Sequence, residues 1–146
     1  MTDDLAPTPR LRERPDWRYL LQEYYELYRY LPSGGSTRIR AHQRHVREAI
    51  GRVLKADPPI QTQPPATKPV TAHLKRALDE GRGDRMGPMI RAFESVQADM
   101  SWQYGYEKVP KGLVGSYAYA EIAGPQGPVV TEDIILGVVL FGPGCT

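Results

Sequence analysis

Five aromatic side chains stand at alternating positions late in the chain: Trp102, Tyr104 and Tyr106 in SWQYGY, then Tyr117 and Tyr119 in GSYAYAEI. Alternation is the period of a β-strand, so each group turns its rings to one side, and two neighbouring strands of this kind could set the rings facing one another. Aromatic faces attract organic cations whose charge is spread and weakly hydrated, at roughly 0.5–2 kcal/mol each. Spacing alone is also met by plain packing in a β-core, the reading it favours.

The other reactive residue types lead less far. His42 and His45 lie three apart in HQRH, which puts both imidazoles on one helical face at a spacing compatible with a metal. No third ligand is near, and Arg40, Arg44, Arg47 and Arg52 on the same helix disfavour a cation, so the pair reads as structural, as does the isolated His73. Cys145 is the single cysteine, which excludes an intrachain disulfide, suits a reducing cytoplasm and gives no catalytic signal. The glycines of PSGGST lack both the preceding strand and the following Gly-Lys-Ser/Thr of a phosphate loop, and are read as an interhelix turn. The arginine-rich stretch 38–55 contains Glu48 and belongs to a chain of formal net charge +2, so a solvated helix face is expected rather than a nucleic-acid surface. The N-terminus has no secretory pattern, and the longest apolar run, IILGVVLFG, is about half of the roughly 20 residues that a membrane helix needs. Neither nucleic acid nor membrane is expected as a partner, and the expected location is cytoplasmic.

These residues need elements to position them. Apolar residues Trp17, Leu20, Leu21, Tyr24, Leu27, Tyr28 and Leu31 recur at offsets of three and four, which predicts a helix capped by Asp16. Its tyrosines, at 19, 24, 25, 28 and 30, cover more than one face, so some must be exposed or meet a partner. A second stripe through Ile39, Val46, Ile50 and Val53 predicts another helix after a cap at Ser36 or Thr37. The proline-rich stretch 58–69 is expected to be an extended strap. A short helix entered at Pro69 and stopped by Gly81 should follow, then a fourth with Met89, Ile90, Phe93, Val96 and Met100 inward. From residue 101 the period changes to two, and a meander of three strands is expected near 102–106, 117–122 and 134–141, the last buried on both faces. Helices followed by a meander make an α+β order.

The stretches SWQYGY, GSYAYAEIAGPQGP and EDIILGVVLFGPGCT resemble the segment that precedes the metal motif in cupin-type dimethylsulfoniopropionate (DMSP) lyases. The resemblance is specific over residues 101–146 and rests on order and size over the helices. It implies a small β-barrel holding one divalent metal (zinc, manganese or iron), and cleavage of DMSP to dimethyl sulfide and acrylate by β-elimination. It also implies a pocket that accommodates a sulfonium, for which Trp102, Tyr104, Tyr106, Tyr117 and Tyr119 would form an aromatic wall. In the family a pattern like Tyr-Pro-x-His-x-His-x-x-x-Glu-x-Tyr follows the Gly-Pro turn and carries the metal ligands and the base. Here Gly142-Pro143 is followed by Gly144, Cys145 and Thr146, so no catalytic or metal-ligating residue is assigned. The expectation is an N-terminal portion of such an enzyme: a helical region at 1–100 and the opening strands of an incomplete cupin barrel at 101–146. Alone it should be inactive, with the remaining cupin half as its partner and a homodimer through the tyrosines of the first helix. The alternatives are a non-catalytic helical interaction module and a cupin acting on another small substrate.

Overall fold

The structure, a computed structural model, describes residues 8–32, 36–105 and 108–144. Helix α1 (Pro15–Tyr30) opens on a proline, whose fixed φ and missing N–H suit a first helical position. It therefore starts before Asp16: Arg14 occupies the cap position, while Asp16 lies in the first turn, accepts from the Trp17 N–H at 2.9 Å and pairs with Arg14 at 3.1 Å. The predicted stripe faces inward at Trp17, Leu20 and Leu21, which are buried, and at Tyr24 and Tyr28, which pack against the core, whereas Leu31 is the C-cap and is exposed. Helix α2 (Thr37–Ala56) has the predicted Ser36 cap, whose side chain accepts from the Ile39 N–H at 3.4 Å, and it ends at Asp57 in the left-handed conformation with φ 55°. The Asp57 carboxylate then reaches back to the Arg12 N–H at 2.7 Å, tying the end of α2 to the start of the described chain.

The stretch 58–69 is extended as its prolines require, and it works as a strap between layers. Ile60 donates its N–H to the Pro9 carbonyl at 2.8 Å, Gln61 to Pro128 at 2.7 Å, and the Trp102 N–H donates to Ala66 at 2.9 Å. Pro69 then opens a short 3₁₀ turn that leads into α3 (Leu74–Gly81). Helix α4 (Gly87–Glu94) is shorter than predicted; Val96 and Met100 lie beyond its end, yet a further 3₁₀ turn, Gln97–Asp99, still delivers both to the core. Arg82 joins these helices by pairing with Asp79 at 3.0 Å and with Glu94. A short α5 (Lys111–Val114) precedes the sheet.

The sheet has the order β2-β1-β3, with β1 (Tyr117–Gly124) central, β2 (Val129–Val130) parallel to it and β3 (Leu136–Phe141) antiparallel. The α+β class stands, but the three-stranded meander is corrected. Residues 101–103 form only isolated bridges, Ser101 to Ala66 and Gln103 to Tyr119, because Gly105 turns the chain away at φ 78°. The third strand is the two-residue β2, which the sequence pattern missed. β3 is also not buried on both faces: Leu136 and Leu140 are inside, whereas Val139 and Phe141 are exposed. One cluster of buried side chains runs from Leu11 through the helices to Leu140 in β3.

Candidate functional site

Strand β1 alternates small and large. Ala118, Ala120 and Ile122 are fully buried beneath the helices, while Tyr117, Tyr119 and Glu121 point to the other side, half-buried. On that side Tyr117 stands opposite Phe141, Tyr119 opposite Val139 and Glu121 opposite Gly137. The Tyr117 and Phe141 rings meet with centroids 5.7 Å apart at 44°. Gly137 is required by the close approach of the strands, since a Cβ there would fall 2.7 Å from the Ala120 carbonyl oxygen. From the helical side the Tyr24 hydroxyl donates to the Gly137 carbonyl at 2.7 Å, so α1 is bonded directly to this strand. Burial, and then the neighbouring Tyr28, push the Tyr24 phenol well above its ordinary range, so it stays a neutral donor.

Just past Glu121 the register slips, so that two steps on β1 match one on β3 and Ile122 is the extra residue of a β-bulge. The chain can then fold back on itself. The Glu121 carboxylate accepts the Gln126 N–H at 2.8 Å, and it crosses the space that a Cβ on Gly124 would fill. Gly124 has φ 154°, so a side chain is disfavoured there twice over.

Two open grooves lie on this face. The larger, about 400 Å³, runs between Tyr104, Tyr117, Tyr119, Ile135 and Val139 with Glu121 at its edge. The smaller, about 270 Å³, is polar and is lined by Asp99, Ser101, Gln103 and Gln126, and it shares Tyr119 and Glu121 with the first. Tyr104 is held by its hydroxyl, which donates to the Val114 carbonyl at 2.8 Å, and Lys68 Nζ stands over its ring, 5.1 Å from the centroid.

Three of the five aromatic residues singled out by spacing therefore meet at one groove: Tyr104, Tyr117 and Tyr119. Trp102 does not line it. It is 2% exposed, stands edge-on to Phe93 at 6.4 Å and borders an apolar crevice of about 200 Å³ among Leu20, Tyr24, Leu78 and Leu140. Tyr106 and Cys145 lie outside the described residues. His42 and His45 are exposed on α2, and among the described residues no group of three or more His, Cys, Asp and Glu side chains could hold a metal ion. The described residues thus do not supply the ligand set that a divalent metal would need. Spacing missed Glu121 as a site residue, although the alternation that placed Tyr117 and Tyr119 placed it on the same face. Among the tyrosines of α1, Tyr24, Tyr25 and Tyr28 pack against the core, and Tyr19 and Tyr30 are exposed.

An α+β chain with a half-open aromatic sheet face can be compared with known proteins. The sequence model of the dimethylsulfoniopropionate lyase family matches residues 42–146. A protein of Cereibacter sphaeroides named as a dimethylsulfoniopropionate lyase, DddL, is 50% identical over 137 residues, which is 94% of this chain and 59% of that protein. A chain from the crystal structures of the DMSP lyases RdDddP and RnDddQII superposes with a TM-score of 0.56 at 21% identity, over 90% of this chain and 61% of that one. The chain belongs to the DMSP lyase family. It spans about three fifths of the length of each of these relatives. Among the described residues no helix is long and apolar enough to cross a membrane.

Proposed function

We propose that this chain provides the helical support and the substrate-facing aromatic wall of a cytoplasmic enzyme that cleaves DMSP to dimethyl sulfide and acrylate. The observation that carries this reading is the convergence of Tyr104, Tyr117 and Tyr119 on one groove in a chain of this family. In the elimination a base takes the proton next to the carboxylate, its electron pair forms the C=C bond of acrylate, and the C–S bond breaks to release a neutral thioether. The tyrosine rings attract the sulfonium while it is charged. That attraction fades as the C–S bond breaks, so the wall binds and orients the substrate, and lowering the barrier falls to groups at the carboxylate end. We assign that task to the metal and base motif of the family, in the part of the relatives that this chain does not span. When bound, the metal would polarise the carboxylate and acidify the neighbouring C–H.

The uncovered sheet face supports the same reading. Ile135, Val139 and Phe141 are 68%, 49% and 58% exposed, and large apolar side chains left open in this way suit an interaction surface. The remaining half of a cupin barrel is the partner we assign to it. Tyr30, 69% exposed at the end of α1, is the residue of the first helix best placed for a homodimer contact.

A chimera tests this function. The matching region of the Cereibacter sphaeroides protein is replaced by this chain, and headspace dimethyl sulfide is measured from DMSP with manganese, beside the unaltered relative and this chain alone. The expected result is product from the first two and none from the chain alone, with Tyr119→Leu in the chimera raising KM far more than it lowers kcat. A folded but inactive chimera beside an active relative would overturn the reading.

A further inference from the structure

The two grooves share one charged residue, and its surroundings are unbalanced. Among the described residues that line them, the charged side chains are Asp99 and Glu121, both carboxylates. Asp99 has a counter-charge, since Arg14 lies 3.6 Å away. Glu121 receives the Gln126 N–H on Oε2, and no described cation lies within ion-pair distance of it. Lys68, which stands over the Tyr104 ring, lines neither groove. The position of Glu121 is also built, by the bulge after it, the amide that holds it and the glycine over which it folds. An uncompensated carboxylate on the same groove wall as the half-buried ring of Tyr119 attracts a small organic cation by charge as well as by the ring face.

We propose that Glu121 is a specificity-determining residue of the groove: its carboxylate selects a ligand end that carries a dispersed positive charge over a neutral end of the same shape. The identity of that ligand as a sulfonium rests on the DMSP reading, whereas the selection for charge does not. One charge pair about 4 Å apart at a solvated surface is worth on the order of 5-fold in affinity, and that is the size of preference expected.

The test is equilibrium binding to the chain, followed by NMR shifts of the tyrosine rings, with two matched pairs of probes. DMSP is compared with 4-methylpentanoate, in which carbon replaces the sulfonium, and tetramethylammonium with tert-butanol. The member of each pair that carries the cationic end, DMSP or tetramethylammonium, is expected to bind about 5-fold more tightly. Glu121→Gln keeps an oxygen for the Gln126 amide, so the melting temperature should hold while the preference falls to about 1. Glu121→Asp keeps the charge and should keep most of the preference. Equal binding of the two members in both pairs by the unaltered chain, no binding of either probe with a cationic end, or a preference that survives Glu121→Gln would overturn the proposal. Selection of tetramethylammonium without selection of DMSP would uphold the role of Glu121 and count against the DMSP reading.

Discussion

The two faces of the β1–β3 sheet are made by alternate residues of the same strands, yet on the central strand β1 they invert the usual distribution of size. On β1 the covered face starts with Ala118 and Ala120, completely buried, and the uncovered face carries Tyr117 and Tyr119; β3 adds Leu136 and Leu140 to the covered face and Val139 and Phe141 to the uncovered one. Small inward residues let the helices approach closely, and the volume of that core comes from the helical side, from Trp17, Leu20 and Phe93, together with Trp102. A sheet face meant for water alone would be polar at the alternate positions. This one is aromatic and aliphatic with a single carboxylate, which is the composition of a surface that meets a ligand or another part of a protein.

The difference between the faces can be broken at one residue on each side. Trp102→Ala removes a ring from the covered side and should cost about 3–5 kcal/mol in urea unfolding; a cost under about 1 would mean that Trp102 belongs to the open groove after all. Tyr24→Phe removes the bond that joins α1 to the Gly137 carbonyl and should cost about 0.5–1.5 kcal/mol, with faster hydrogen exchange in β3 as its signature. Phe141→Ser, on the uncovered side, should cost less than about 1 kcal/mol, the size of its cross-strand contact with the Tyr117 ring, while reducing self-association in sedimentation; a larger loss of stability would show that this face is already filled. Acid gives the smallest effect and touches the helical side alone. Lys75 holds the Asp79 carboxyl below its ordinary range, and Arg82 does the same for Glu94. Because both folded values are depressed, the stabilisation is present above the unfolded carboxylate range and is lost as pH falls through the folded values. The groups are exposed, so the α3–α4 link should loosen only modestly, seen as increased amide exchange in Gly87–Glu94 with β1 unchanged.

Much of this was legible in the residues. The stripe in α1, the Ser36 cap, the proline strap and the alternation of β1 are set by neighbours within a turn or a pleat, and each took the form that its spacing required. The start of α1 moved because Pro15 is a better first residue than Asp16 is a cap. Trp102 has the spacing of the wall yet packs on Phe93, because the chain bends at Gly105 before a strand can form. β2 could not be read from two valines, since its pairing with Ala123 and Gly124 is decided by the strap that lies against it.

The order of the helices α1 to α4, the one-sided character of β1 and the family to which the chain belongs were determined by the sequence alone, because periodicity and local motifs are properties of short segments. Which face of the sheet the helices cover, which three rings share a groove, and that Glu121 sits among them without a counter-charge were decided only in the tertiary structure. Those facts depend on residues far apart in the chain, such as Tyr24 with Gly137 and Tyr119 with Val139, and no local pattern specifies a distant partner.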